Sequence, residues 1–158
     1  MHRFTSFVAL ALFCFAARST APPALLANEG PVLLSTKQAR LLFKQCSRQA
    51  PQFDGTPQRA SRPNIDKLER ALPEFLKERQ AKRLRIPEPN QAYRGQYAEF
   101  KRNGVTYIYG SYFPADDVRD TPLDGKALIW CDGGASFWGV VFEPATGQFT
   151  QFEVNGAL

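Results

Sequence analysis

The chain has 158 residues, of which 44% are hydrophobic and 22% are charged, and its formal net charge is +5. Such proportions are typical of a single globular domain and exclude a collagenous or low-complexity chain. No apolar run reaches the roughly 20 residues that a membrane-spanning helix needs. The modest net charge selects no class of partner by itself.

Residues 1–21 are typical of a secretory signal peptide. The basic residue Arg3 precedes an apolar run at 7–17, and small or polar residues follow at 19–21. The apolar run fits the roughly 7 to 15 residues of a signal-peptide core and is too short for a membrane anchor. We therefore expect cleavage and export to the periplasm or beyond. Cleavage would also remove His2, the single histidine of the chain.

A mature chain without histidine excludes several kinds of catalytic site. Ser-His-Asp and Cys-His arrangements need imidazole, and so do zinc sites built on it. No cofactor or metal is predicted. Residues 22–34 are interpreted as an irregular lead-in, within which a later cleavage after Ala27 stays open, and residues 35–158 as one domain.

The two cysteines beyond the leader, Cys46 and Cys131, are expected to form a disulfide. An even number of cysteines in an oxidising compartment favours pairing. The bond would join residues 85 apart. A loop of that size gives roughly 4 to 5 kcal/mol in the chain-entropy model. A redox-active pair normally has C-x-x-C spacing, so a structural bond is the favoured interpretation.

The first predicted helix begins at a capping box. Ser35 can accept a hydrogen bond from the backbone N–H of Gln38, whose side chain can reach back to the cap. Apolar residues then recur at helical spacing as far as Cys46, so the cysteine is expected on the buried face. A polar loop that contains Asp54-Gly55 follows and extends to about Arg62.

A second helix is predicted from about Pro63 to a point before Pro87. Pro73 lacks a backbone donor and clashes with the carbonyl four residues back, so a kink or a restart is expected there. Apolar residues at helical spacing predict the buried face: Ile65, Leu68, Leu72, Phe75 and Leu76.

A β-hairpin is predicted where the sequence becomes rich in aromatic residues. One β-prone run begins at Tyr93, a second covers residues 105–113, and Asn103-Gly104 lies between them. Both central residues of a type I′ turn need positive φ, which Asn and Gly tolerate. Three further strands, expected to form a meander, are predicted at 126–131, 136–142 and 148–154.

These elements predict an α+β fold. Two N-terminal helices would pack on one face of an antiparallel sheet of about five strands. The disulfide would join the first helix, at Cys46, to the end of the third strand, at Cys131.

Two groups of side chains are candidates for partner binding. Cations concentrate near the end of the second helix, where Lys82, Arg83 and Arg85 could meet an acidic protein, an anionic lipid surface or, least favoured in an exported protein, nucleic acid. Cations also oppose the helix dipole, which is a structural alternative. Three tyrosines of the hairpin could supply rigid contact area: Tyr107, Tyr109 and Tyr112.

A carboxylate pair is the remaining catalytic possibility. Glycoside hydrolysis needs two such groups roughly 5 to 9 Å apart across a cleft. Four carboxylates lie on or beside predicted strands: Glu99, Asp132, Glu143 and Glu153. Their spacing does not require a shared site, so solvated surface positions are the favoured interpretation.

The C-terminal segment carries a resemblance. Residues 131–149, CDGGASFWGVVFEPATGQF, followed by Asn155-Gly156, resemble a group of small, exported, uncharacterised proteins of Gram-negative bacteria. The resemblance extends to residues 45–48 and 68–73. It is consistent with a disulfide between the two cysteines, and it implies no catalytic residue.

The sequence therefore predicts an exported protein without catalytic activity that binds a protein or a component of the cell envelope. An inhibitor-like or immunity-like role is one version, by analogy with other small disulfide-bonded exported domains. A carbohydrate-active hydrolase that uses Asp and Glu is the alternative.

Overall fold

A computed structural model of the chain describes Leu26, residues 30–118, Leu123 and residues 125–156. The predicted signal peptide lies outside the described residues. The elements within them follow in this order: β1 (Val32–Leu33), α1 (Thr36–Leu41), β2 (Asp54–Arg59), α2 (Arg62–Ala81), β3 (Tyr93–Arg102), β4 (Val105–Pro114), β5 (Trp138–Glu143) and β6 (Gln148–Val154).

The six strands form one mostly antiparallel sheet, which confirms the α+β class. The strands lie in the order β1-β3-β4-β5-β6, and β2 also pairs with β3. β1 runs parallel to β3, whereas β2 is antiparallel to it. Val32 pairs with Gln96 and Arg59 pairs with Ala98, so β1 and β2 share one edge of β3. Neither of these two strands was predicted from the sequence.

The hairpin of β3 and β4 has the predicted turn. Arg102 pairs with Val105, and the two residues between them have φ values of 52° (Asn103) and 78° (Gly104). Positive φ at both positions is the requirement of a type I′ turn. This turn fixes the register of the two longest strands.

The two helices pack on opposite faces of the sheet, and each of them follows at least one strand in the chain. Along β4, Tyr107 and Tyr109 belong to the core that includes α1, while Ile108 and Tyr112 belong to the core that includes α2. Alternate residues of a strand point to opposite faces, so the sheet is covered on both sides. The prediction of two N-terminal helices on one face is therefore wrong: β1 precedes α1, and β2 separates the helices.

α1 is short because its side of the sheet is completed by loops. Ser35 Oγ accepts a hydrogen bond from the Gln38 amide at 3.3 Å, as predicted, but the helix ends at Leu41. Cys46 thus lies in the loop that follows, where it is exposed, so the expectation of a buried helix face for this cysteine is wrong. The Cys46–Cys131 disulfide is present, and it joins this loop to the loop before β5 instead of a helix to a strand.

The predicted strand at residues 126–131 does not form. Gln96, which is fully buried, donates to the Lys126 carbonyl at 2.9 Å and accepts from the Leu128 amide at 2.9 Å. The Gln38 side chain accepts from the Ala127 amide at 3.0 Å. Side chains therefore satisfy backbone groups that a neighbouring strand would otherwise pair.

α2 begins at Arg62, with Pro63 in its first turn, and ends at Ala81. The helix continues through Pro73 without a restart. Its buried stripe is formed by Ile65, Leu68, Leu72 and Leu76. Neither α-helix in the described part of the chain has the length and hydropathy of a transbilayer segment.

Candidate functional site

The three tyrosines predicted to contact a partner are buried. Tyr107 is 9% exposed, Tyr109 2% and Tyr112 1%. Tyr112 stacks on Trp138 at a centroid distance of 3.9 Å, and Tyr107 stacks on Phe100 at 5.5 Å. Because both faces of the sheet are covered, these rings pack in the two cores and offer no contact area in this structure.

Burial also keeps the phenols of the sheet neutral. It raises the pKa of Tyr93 to about 12 and the pKa of Tyr97 well above its ordinary value. It raises the pKa of Tyr109 as well, although the neighbouring Arg48 opposes that shift. Phenols with raised pKa values stay protonated near neutral pH and are therefore unsuited to act as general bases there.

The four predicted carboxylates are spread over the molecule. Glu99 accepts hydrogen bonds from Asn64 Nδ2 at 3.2 Å and the Ser61 amide at 3.5 Å, and it lines a shallow polar cleft of about 340 Å³. Asp132 is exposed in the loop after the disulfide, and Glu143 and Glu153 lie on β5 and β6. None of these three lines the cleft beside Glu99. No group of three metal-ligating side chains occurs among the described residues.

The predicted cations lie together in a turn that follows α2. We call residues 82–85 the basic turn. The amide of Arg83 donates to the Gln80 carbonyl at 3.0 Å, and the amide of Leu84 donates to the Arg79 carbonyl at 2.9 Å. These two bonds form a Schellman motif, which closes a helix C-terminus.

Arg83 occupies the position of this motif that usually belongs to glycine. Its φ is +53°, in the left-handed region. A side chain with a Cβ in this region costs about 1 kcal/mol relative to the right-handed conformation. The sequence therefore places a cation where the backbone favours a residue without a side chain.

The side chains of the basic turn face solvent. Lys82, Arg83 and Arg85 are exposed, and Leu84 is 48% exposed. Lys82 Nζ lies 3.7 Å from Glu78 Oε2 in an exposed pair. Neither Arg83 nor Arg85 has a carboxylate within 4.0 Å among the described residues. The turn thus presents the apolar Leu84 between two arginines, Arg83 and Arg85, that have no close carboxylate among the described residues.

Arg79 attaches the turn to the sheet. Its Nε donates to the Arg85 carbonyl at 3.0 Å, and its guanidinium lies 4.2 Å from the centre of the Phe152 ring. Burial lowers the pKa of Arg79, an effect that Glu153 opposes. A cation on an aromatic face is favourable, so this contact holds the turn against the edge strand β6.

A groove lies beside the basic turn, between the last turns of α2 and the chain that returns to β3. We call it the α2 groove, and its volume is about 130 Å³. The helix side comprises Pro73, Leu76, Lys77 and Gln80. The returning chain supplies the other side: Ile86, Pro87, Glu88, Pro89, Asn90 and Gln91.

Sequence reasoning found the cations but missed the other parts of this site. The exposure of Leu84 and the left-handed conformation of Arg83 are seen only in the structure. The absence of glycine after Ala81 was the available signal, because a helix end without glycine often forces another residue into the left-handed region. The groove depends on the path of residues 86–91, which no periodicity specifies.

Comparisons of the chain with models of known families, with curated proteins and with solved structures gave no match. The resemblance to small exported proteins of Gram-negative bacteria stays a prediction.

Proposed function

We propose that this chain is an exported protein without catalytic activity that binds an acidic protein of the cell envelope through its basic turn. The observation that carries the proposal is the conformation of Arg83, at a φ of +53° on an exposed turn. Strain of this kind persists where surrounding structure maintains it, and it is common at functional sites. An exposed arginine at a position that favours glycine, with no close carboxylate among the described residues, supports a contact between this cation and a partner.

The mixed character of the turn supports a protein as the partner. Leu84 is exposed between Arg83 and Arg85, so an apolar contact and two ionic contacts are available within one turn. Arginine is enriched among the energetically important residues of protein interfaces, and the buried centre of an interface is more apolar than the rest of the surface. Arg79 and the Schellman bonds hold the turn in place, which lowers the entropy cost of binding.

An inhibitor-like or immunity-like protein is one version of this function. Such a protein inserts a fixed protrusion into an enzyme, and a turn closed by backbone bonds is a suitable protrusion. Catalysis by a carboxylate pair has less support. Asp132, Glu143 and Glu153 do not line the cleft beside Glu99, and Asp54, which does line it, accepts a hydrogen bond from the Asn103 amide.

The proposal is tested with a photo-crosslinking residue at position 84. The protein is expressed with its leader, exported, irradiated in intact cells, and the crosslinked species are identified by mass spectrometry. We expect a discrete envelope protein whose crosslinking decreases at least fivefold in the Arg83→Ala/Arg85→Ala variant, since the loss of one interface hot-spot side chain costs about 2 kcal/mol or more, which is over tenfold in affinity.

A matched variant controls for the loss of charge. Lys37→Ala/Lys44→Ala removes the same number of exposed cations near α1. Crosslinking in this variant should equal that of the parent protein. Equal losses in the two double variants, or no discrete crosslinked protein, would overturn the proposal.

A further inference from the structure

On the basis of the proposed function, we infer that the α2 groove binds one apolar side chain of the acidic partner protein. The partner segment would place acidic residues against the basic turn and insert the apolar residue between α2 and the returning chain. This inference adds a specificity element to the electrostatic contact.

The size and lining of the groove fit a single side chain. Its volume is about 130 Å³, and Leu76, Ile86 and the proline rings supply apolar walls. Apolar cavities of about 150 Å³ in proteins hold one benzene molecule. A leucine or phenylalanine side chain is therefore of the right order, whereas a whole lipid chain is too large.

The returning chain that forms the far wall is held in place. Tyr93 Oη donates to the Glu88 carbonyl at 3.2 Å and to Gln91 Oε1 at 3.1 Å. The Glu88 amide donates to the Ala135 carbonyl at 3.4 Å. Proline at positions 87 and 89 fixes φ on both sides of Glu88. A wall fixed in this way needs little ordering when a side chain enters.

The charges around the groove specify the residues that flank the inserted side chain. Arg85 immediately precedes Ile86 in the groove wall, and Lys77 lines the groove from the helix. Glu88 is the one carboxylate among the lining residues. Lys77 is paired with Glu74 at 3.2 Å, whereas Arg85 has no carboxylate within 4.0 Å among the described residues. An acidic residue next to the inserted side chain would therefore contact Arg85.

The test uses three end-capped peptides, Glu-Glu-Leu-Glu-Glu, Glu-Glu-Ser-Glu-Glu and Gln-Gln-Leu-Gln-Gln, titrated into the oxidised protein and followed by NMR. We expect the acidic leucine peptide to bind about tenfold more tightly than the serine peptide, because about half of a leucine's transfer free energy corresponds to this factor. Only the leucine peptides should shift the amide signals of non-proline residues of the groove: Leu76, Lys77, Ile86, Glu88, Asn90 and Gln91.

A variant that fills the groove provides the control. Gln80 is exposed and lines the groove, so Gln80→Trp places a ring there without removing a cation. This variant should bind the two acidic peptides equally. Arg83→Ala/Arg85→Ala should weaken both acidic peptides and keep the preference for leucine.

The outcomes separate this inference from the proposed function. Equal binding of the two acidic peptides to the parent protein would overturn the groove and leave the basic turn in place. Failure of both acidic peptides to bind, or binding that is unchanged in Arg83→Ala/Arg85→Ala, would overturn the acidic partner and the inference with it. Binding to phosphatidylglycerol vesicles but to none of the peptides would assign the site to lipid and overturn both.

Discussion

Arg48 Nη1 donates a 2.6 Å hydrogen bond to Asn155 Oδ1, across 107 residues of sequence. The same guanidinium donates from Nε to Tyr109 Oη at 3.0 Å and from Nη2 to Ser111 Oγ at 2.7 Å. No carboxylate among the described residues lies within 4.0 Å of it. Neutral acceptors on β4 and after β6 therefore hold the loop that contains Cys46.

Replacing Asn155 by alanine should lower the free energy of unfolding by about 3 kcal/mol, because each unsatisfied buried polar group costs about 1 to 3 kcal/mol. The Asn155 amide also donates to the Trp130 and Asp132 carbonyls, both at 2.8 Å, so the substitution leaves three groups without this partner. Urea denaturation of the oxidised protein measures the change. Gln151→Ala, which removes an exposed hydrogen bond, is the control and should change stability by less than about 0.5 kcal/mol. Similar values for the two variants would contradict the prediction.

Gly139 leaves the space in which Tyr109 and Arg48 meet. A Cβ at this position would lie 2.9 Å from Tyr109 Oη and 3.2 Å from Arg48 Nε. Gly139→Ala should therefore destabilise the protein by about 1 to 3 kcal/mol through overpacking. Gly156→Ala provides the comparison. Gly156 is exposed, and a Cβ at this position would lie 3.3 Å from Ser47 Oγ. Thermal unfolding that is unchanged in Gly139→Ala would show that the cluster can move aside.

Arg83→Gly should stabilise the isolated protein by about 1 kcal/mol, because glycine adopts the left-handed conformation without the cost of a Cβ. Arg85→Gly removes the same charge, and Arg85 does not have a positive φ. It should be neutral or destabilising. Chemical denaturation distinguishes the two variants. A loss of stability in Arg83→Gly would mean that the arginine side chain stabilises the fold itself, and it would remove the main support for a binding role.

The buried phenols predict a loss of stability at high pH. The ordinary pKa of tyrosine is 10.0, and folding raises the pKa of Tyr93, Tyr97, Tyr109 and Tyr112 above it. The unfolded chain then binds fewer protons than the folded one, so the stabilising contribution is complete below pH 10.0 and is lost as the pH rises through the folded values.

Each such phenol contributes a slope of about 1.4 kcal/mol per pH unit in the affected range. Tyr112→Phe should reduce the slope above pH 10.0 by about one phenol's share. Urea titrations between neutral and alkaline pH measure this slope, and tyrosinate absorbance reports the ionisation. An identical pH dependence in Tyr112→Phe would show that this phenol ionises without unfolding.

Removing the disulfide should cost about 4 kcal/mol, as the chain-entropy model gives for a long loop. The bond joins residues 85 apart. Cys46→Ser/Cys131→Ser tests this cost by denaturation, with the parent protein in reductant as a second measurement. Recovery of two free thiols from the exported, denatured and unreduced protein would refute the bond.

Local rules predicted the parts of the fold that depend on neighbouring residues. The turn at Asn103-Gly104 needs two positive φ values, and Asn and Gly are the residue types that adopt such values most readily. The N-cap at Ser35 and the stripe of α2 are equally local. The strand β2 was missed because Asp54-Gly55 and Pro57 are turn-forming residues. In the structure, Gly55 and Pro57 lie in a register shift between Asp54, which pairs with Lys101, and Gln58, which pairs with Glu99.

The missed features depend on distant residues. Residues 126–131 have strand propensity, but the Gln96 side chain takes the hydrogen bonds of that segment. Residues 107–114 are buried without interruption because alternate residues enter two cores. The sequence of this strand does not show that both of its faces are covered. The cations of the candidate site could be predicted from the sequence. The groove could not, because one of its sides is formed by residues 86–91, whose path is known only from the structure.

The contact between Arg48 and Asn155 has a consequence for biosynthesis. On the ribosome, the guanidinium emerges 107 residues before the amide that accepts its shortest bond. The contacts of this loop are thus completed only after translation has passed residue 155, and a chain truncated before that residue would keep the bonds from Arg48 to β4 but lose the bond to Asn155.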